Sequence, residues 1–291
     1  MRISTLTLLY KRRGYYRWDG CKRIQSIVYP TSLSDEEWDY IKPLVPAPKS
    51  GAGKRGRPPR LERRDLVDAL FYIVRSGCAW RLLPSEFGPW PSVSGYFRKW
   101  SQDWTWRFIH DALRDGLRKS EGRAVAPTAA IVDSQTVKTG DQAGERGYDG
   151  AKKTVGRKRH VAVDCLGMIL AILITPAGAQ DRDVAKNLIQ LLASLYGRLQ
   201  VIWAEGGYLG TLVQWVKQLR PFGKLHLEIV RRCDHGKGFK VLPKRWIVER
   251  TFGWLVKSRR LCRDYEVRTD HSEAMVRISM IRLMLRRLAA I

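Results

Sequence analysis

Two short apolar runs, each ending on a carboxylate, constrain this chain more than any other feature. Ala129-Ala130-Ile131-Val132 leads into Asp133, and Leu199 to Ala204 leads into Glu205. Runs this short and this uniformly apolar are strands buried on both faces. In α/β sheets the groups that bind ligands sit at the carboxyl ends of such strands. The neighbouring patterns fill in the rest of a mixed sheet. His160 to Asp164 and Met168 to Thr175 form a hairpin turned through Leu166-Gly167, and Leu225 to Val230 is one more strand. Helices fall over Asp183 to Tyr196, Thr211 to Leu219, and from about Pro243 to Arg260, the last carrying Glu249. Strands alternating with helices predict a mixed α/β core, and no repeat of fixed period competes with that reading.

The first part of the chain has a different period. Ser34-Asp35-Glu36-Glu37 is a capping box, with Ser34 at the N-cap and Glu37 three residues on, and Pro43 should kink the helix it starts or end it soon after. Leu66, Ala69, Leu70, Ile73 and Val74 repeat at helical spacing up to Gly77, and Val93, Phe97 and Trp100 repeat again after Pro91. Trp104 to Leu117 is a further helix. Short helices with tight turns suit a helix-turn-helix domain over residues 29–118, with Ser92 to Trp100 as recognition helix and Arg98 and Lys99 near phosphates or bases. A helical bundle with a basic surface satisfies the same pattern. Residues 119–128 read as a linker, 129–288 as the α/β domain, and 1–28, which lack periodicity, as a disordered extension.

Charge narrows the partners. The 291 residues hold 53 Lys plus Arg against 28 Asp plus Glu, a net +25, and 44% hydrophobic residues with 11 Trp supply real cores. Such a field favours polyanions, nucleic acid first among them. Basic residues cluster in the Gly/Pro-rich segment 49–64, which includes Arg57, in 152–159 with Arg157, Lys158 and Arg159, and in 231–263. The five cysteines are scattered without a C-x-x-C pair, which argues against a zinc site and for a reduced, cytoplasmic protein. Cys165 to Ala179 is shorter than the roughly 20 residues a membrane span needs. Met1 to Tyr10 is followed by Lys11-Arg12-Arg13 where a signal peptide needs small residues, so no targeting is expected.

Glu249 stands out inside that last cluster, where Arg231 to Arg263 holds eleven basic residues and only two acids, Asp234 and Glu249. Arg245, four residues earlier, makes an ion-paired surface acid one reading. The other is that Asp133, Glu205 and Glu249 converge to hold two divalent cations, hard ions that take oxygen ligands. Two metals roughly 3.5–4 Å apart suit a phosphodiester, one serving the attacking oxygen and one the leaving oxygen.

Several segments resemble one family. Ile131-Val132-Asp133-Ser134-Gln135, Gly147-Tyr148-Asp149-Gly150 with Gly156-Arg157-Lys158-Arg159-His160, Ala179-Gln180-Asp181-Arg182-Asp183 and Ala204-Glu205-Gly206-Gly207-Tyr208 come in that order. Arg245-Trp246-Ile247-Val248-Glu249-Arg250-Thr251-Phe252-Gly253-Trp254-Leu255 follows, then Arg259-Arg260-Leu261. Together they resemble the DDE transposases of bacterial insertion sequences, specifically insertion sequence family five, whose catalytic core is RNase H-like. Leu33 to Trp38, Gly56-Arg57-Pro58 and Arg75 to Pro84 resemble the N-terminal DNA-binding region of the same group.

The resemblance implies Asp133, Glu205 and Glu249 as catalytic acids and Mg²⁺ ligands, with Mn²⁺ as a substitute. It implies double-stranded DNA as partner, both the terminal inverted repeats and the target, a homodimer on that DNA, and action in the bacterial cytoplasm at the nucleoid. Arg245 and Trp246 would hold the transposon end, Arg245 on a phosphate and Trp246 on a displaced base; helix-to-sheet packing is the other reading of Trp246. Arg57, Arg98, Lys99, Arg157, Lys158 and Arg159 would be further DNA contacts, with a solvated charged loop as the alternative for the last three. One position departs from the pattern. The family has Asp before Gly-Gly-Tyr, and Glu205 adds a methylene there, so an impaired or binding-only protein is the competing function. His160 reads as structural, since the site needs oxygen donors.

Overall fold

The computed structural model describes residues 29–48, 50, 59, 61–141, 144–219, 225–230 and 244–290. The extension 1–28, Arg57 with most of the basic segment 49–64, and residues 231–243 lie outside the described residues. The capping box forms as the sequence dictates: the Glu37 N–H donates to Ser34 Oγ at 3.1 Å and the Ser34 N–H to Glu37 Oε2 at 2.9 Å, opening α1, Asp35–Ile41. Pro43 sits in the single 3₁₀ turn that ends it. Helix α2, Arg63–Ser76, buries its apolar stripe and stops at Gly77, whose φ of 74° is left-handed and therefore suited to glycine. Helices α3, Trp90–Gln102, and α4, Thr105–Ser120, complete the helical region.

A six-stranded mixed sheet follows. Its strands are β1 (Ala129–Lys138), β2 (Gly147–Asp149), β3 (Thr154–Val163), β4 (Ile169–Pro176), β5 (Val201–Glu205) and β6 (His226–Val230). Strand β3 lies between β1 and β4, antiparallel to both, while β5 pairs parallel with β1 and with β6. Helices α5 (Asp181–Leu195) and α6 (Thr211–Gln218) cover one face. On the other face lie α7 (Arg245–Val256) and α8 (Thr269–Leu288).

Two expectations about strands change here, and one about a helix. Strand β1 does not end at Asp133 but runs on to Lys138, paired with β3 throughout. Strand β3 begins at Thr154, so Arg157, Lys158 and Arg159 belong to a strand and alternate across the sheet. The long helix expected to reach Arg260 stops at Val256; a 3₁₀ turn over Arg259–Leu261 then precedes α8, which periodicity did not predict. Twelve of the 20 residues of α8 are buried, on all its sides, and a helix wrapped by protein shows no single apolar stripe.

Helix α8 is also what joins the molecule. It packs on α1, α2, α3, α4 and strand β4, and one hydrophobic cluster runs from Leu33 and Phe97 through Ile131 and Ile172 to Met275 and Leu288. At 119–128 the secondary structure therefore changes type, but the core is continuous. A buried ion pair between Arg118 and Asp164 ties α4 to the β3–β4 hairpin. Among the described residues no helix is long and apolar enough to cross a membrane.

Candidate active site

The parallel register of β1 and β5 sets Ile131 opposite Trp203 and Val132 opposite Ala204. The next residue on each strand is Asp133 and Glu205, so two carboxylates leave neighbouring strands on the same face. Helix α7 crosses that face with Arg245 as its first residue and Glu249 one turn later. Arg245 Nη2 lies 3.4 Å from Glu205 Oε2, and its Nε lies 3.1 Å from Glu249 Oε1. Asp133, Glu205 and Arg245 line one small cavity with Trp203 and Val230. Glu205, from the sheet, and Glu249, from the helix, thus meet at one guanidinium, with Asp133 beside Glu205 in the same cavity.

Their environments differ. Asp133 is buried, and burial followed by the charge of Glu205 pushes its carboxyl up to about 7, against the opposing pull of the Ser134 N–H, Arg245 and Lys152. The Ser134 N–H donates to Asp133 Oδ1 at 2.7 Å. Burial, with Asp133 and Asp181 nearby, likewise holds the Tyr208 hydroxyl well above the ordinary tyrosine value. Glu249 is half exposed, its side chain 52% accessible. A buried carboxylate beside a second one is stabilised by a nearby cation, and hard oxygen donors suit a divalent ion. Among the described residues no three acidic, His or Cys side chains already converge as a metal cage; the guanidinium of Arg245 stands between Glu205 and Glu249 instead. The donor set therefore fits a divalent cation in chemistry, with Arg245 supplying positive charge at the same place.

Other residues singled out by sequence separate into three groups. Trp246 is 41% exposed, which removes the packing reading, and the Arg250 guanidinium lies 4.5 Å from its ring centre. Arg98 and Lys99 are exposed on α3, next to the buried Phe97 and Trp100 that anchor the helix. Arg157 and Arg159 are corrections: their strand positions point them inward, where they are 0% and 1% exposed. Arg157 donates to the carbonyls of Glu145, Glu266 and Val267 and to Ser272 Oγ, and sits 3.4 Å from Asp264. Arg159 Nη1 donates to the Leu261 carbonyl at 2.8 Å. Both hold the turn before α8 onto the sheet and offer nothing to a ligand. Lys158, on the opposite face, is 8% exposed and donates to the Ala179 carbonyl, 3.3 Å from Asp181.

His160 is structural as read. It is buried, its Nε2 lies 2.9 Å from Thr175 Oγ1, and burial pushes it down to about 4. Sequence reasoning missed Lys152, whose charge acts on Asp133, and Lys244, whose Nζ lies 3.8 Å above the Trp203 ring beside the acids. Each lies in a basic cluster of the sequence, but only the fold brings its charge to the acids. Tyr208 was visible in its motif but had no role until the fold placed it near Asp133.

Comparison with known proteins identifies the family. Residues 33–110 match the model of a putative transposase of the IS4/5 family, and residues 126–284, more than half of the chain, match the transposase DDE domain. An uncharacterized 16.2 kDa protein of insertion element IS402 from Burkholderia cepacia is 33% identical over 109 residues, 36% of this chain and 72% of that protein. A putative transposase for insertion sequence element IS402 from the same organism is 32% identical over 130 residues. That match covers 42% of this chain and 60% of the relative's own length. The mixed sheet with its helices, preceded by an all-helical region, is the RNase H-like arrangement of the DDE domain, and the chain belongs to the DDE transposases of the IS4/5 family.

Proposed function

We propose that the chain binds the terminal inverted repeats of an insertion sequence as a homodimer on DNA, cleaves the strand there and transfers the freed 3′-hydroxyl to target DNA. The observation that carries this is the register that sets Asp133 beside Glu205, with Arg245 tied to Glu205 and Glu249. Asp133, Glu205 and Glu249 would hold Mg²⁺, or Mn²⁺ in its place. Two such ions supply activation of the attacking oxygen and charge stabilisation of the leaving oxygen.

The chain's own groups do the rest. Asp133, whose carboxyl burial and Glu205 favour in the protonated form, would have to release that proton to serve as a ligand. Arg245, freed from its carboxylates, grips a backbone phosphate in a two-pronged contact. Trp246, exposed at the rim, takes a base displaced from the duplex. Arg98, Lys99 and, in the basic segment, Arg57 contact DNA, while Arg157, Lys158 and Arg159 act through the fold alone. A labelled duplex carrying the element's ends, incubated with Mg²⁺ or Mn²⁺, tests the reading: cleavage should vanish in Asp133→Ala and Glu249→Ala, and equal cleavage in either overturns it.

Glu205 supports a second reading, a transposase of reduced or lost activity that binds DNA only. The glutamate reaches Arg245 with one methylene more than the aspartate of the family pattern, at a site where Mg²⁺ requires near-octahedral geometry.

A further inference from the structure

Beyond the acids, α7 carries a second set of groups. Trp246, Arg250 and Trp254 follow at four-residue spacing and share one side of the helix. The Arg250 guanidinium lies 4.5 Å from the Trp246 ring centre and 4.7 Å from that of Trp254. Arg287, from the end of α8, lies 4.6 Å from the same Trp254 ring. Two cations therefore share one indole. Among the described residues neither forms an ion pair. The Arg250 Nε, shielded from solvent, has no hydrogen-bond partner, although its Nη2 donates to the Leu166 carbonyl at 3.1 Å. Burial and the charge of Arg250 push the Arg287 guanidinium down from its ordinary value, against the weaker pull of Glu121 and Asp164.

The fold accounts for part of this set only. Trp254 packs on the β3–β4 turn, where a side chain at Gly167 would come within 2.9 Å of its ring, and Arg250 steadies the same turn through Leu166. Arg287 plays no comparable part. Its side chain makes no hydrogen bond among the described residues, and its charge repels Arg250. A like-charged pair against one indole is what a phosphate group relieves, because a guanidinium fork matches phosphate oxygens and its plane stacks on an indole.

We infer that Arg250 and Arg287, seated on Trp254, clasp a phosphate of the DNA backbone as a second anchor for the strand held at Arg245 and Trp246. This rests on the reading of the chain as a DNA-binding transposase and names the path its strand takes. Trp254 lies eight residues beyond Trp246, about 12 Å along the helix at 1.5 Å per residue. At about 3.4 Å of duplex axis per nucleotide of one strand, a duplex lying along α7 sets the second anchor three to four nucleotides from the first. The strand then runs along α7, past the level of Glu249 and toward the end of α8.

Binding of a mixed-sequence duplex of about 30 base pairs to the full chain across a range of salt, without divalent cations so that cleavage plays no part, provides the test. Arg287→Gln should lower affinity and make the slope of log affinity against log salt shallower, and adding Arg250→Gln should bring the total change to about one, the loss of a single phosphate contact. Arg287→Lys keeps the charge and loses the stacked plane, so its slope should stay near that of the wild type while affinity falls a few-fold. Wild-type affinity and slope in Arg287→Gln, with unchanged thermal unfolding, overturns the clasp while leaving the DNA reading intact. A wild-type chain that binds no duplex overturns the DNA reading, and the clasp with it.

Discussion

The guanidinium of Arg245 lies 3.4 Å from the carboxylate of Glu205, so the acid pair of the sheet meets its counter-charge from the first turn of a helix that also bears Glu249. A divalent cation on Glu205 and Glu249 would compete with that guanidinium for their oxygens. Arg245→Leu should therefore bind Mn²⁺ more tightly than the wild type in the absence of DNA, by about tenfold, or about 1.4 kcal/mol. Titration followed by Mn²⁺ electron paramagnetic resonance reads this directly. Weaker Mn²⁺ binding in the variant would mean that Arg245 helps to organise the acids rather than compete for them.

Glu205→Asp restores the shorter carboxylate. It should raise cleavage of a labelled end duplex by about tenfold or more, a barrier change of about 1.4 kcal/mol, with duplex affinity unchanged. No cleavage by either form, with normal binding, would favour the binding-only protein.

Asp68 provides a pH signature away from the acids. Its carboxyl is buried beneath Leu33, whose N–H donates to Oδ1 at 2.7 Å, and burial raises it from 3.8 to about 7 despite Arg64 and Arg282. Between about pH 4 and 7 the folded chain keeps a proton that the unfolded chain has released, so this group lowers stability as pH rises through that window. Asp68→Asn keeps the acceptor and removes the titration. Denaturant unfolding should show it more stable than the wild type at pH 8, by roughly 1–3 kcal/mol, with the difference vanishing near pH 4. An unchanged pH profile would place the titration elsewhere; Glu273, raised by burial to about 7, is the next group to replace.

Arg157→Met separates fold from DNA contact. The arginine is fully buried against Asp264 and three carbonyls, so its loss leaves a charge and several acceptors unpaired. A loss of about 3–5 kcal/mol is expected in denaturant unfolding. Variants that remain folded should keep the wild-type salt slope for duplex DNA, and a shallower slope would return Arg157 to the DNA surface.

Local chemistry was legible in the sequence wherever it was self-contained. The Ser34–Glu37 box, the Gly77 stop and the apolar runs at Ala129 and Leu199 each carry their cause within a few residues. What escaped was set by distant parts of the chain. Asp133 sits inside a strand rather than at its end because β3 supplies a partner beyond the point where β5 stops. The basic run at Arg157 looked like a charged loop because its partners, Glu266, Val267 and Ser272, lie more than a hundred residues away. Helix α8 hid its periodicity by being buried on every side. The acids were visible as residue types in motifs, but the guanidinium shared by Glu205 and Glu249 needed the register of two strands and a helix start.

The place of α8 in the core has a consequence for synthesis. Leu33 and Phe97 belong to the same cluster as Met275 and Leu288, so the helical region cannot finish burying its apolar surface until residues near 288 have left the ribosome. Contacts of such sequence separation close late, at a high entropic cost. A nascent chain would therefore expose apolar helices for most of its translation, open to chaperones and proteases. Its supply of folded molecules would then depend on chains that have extended through α8 rather than on early-folding fragments.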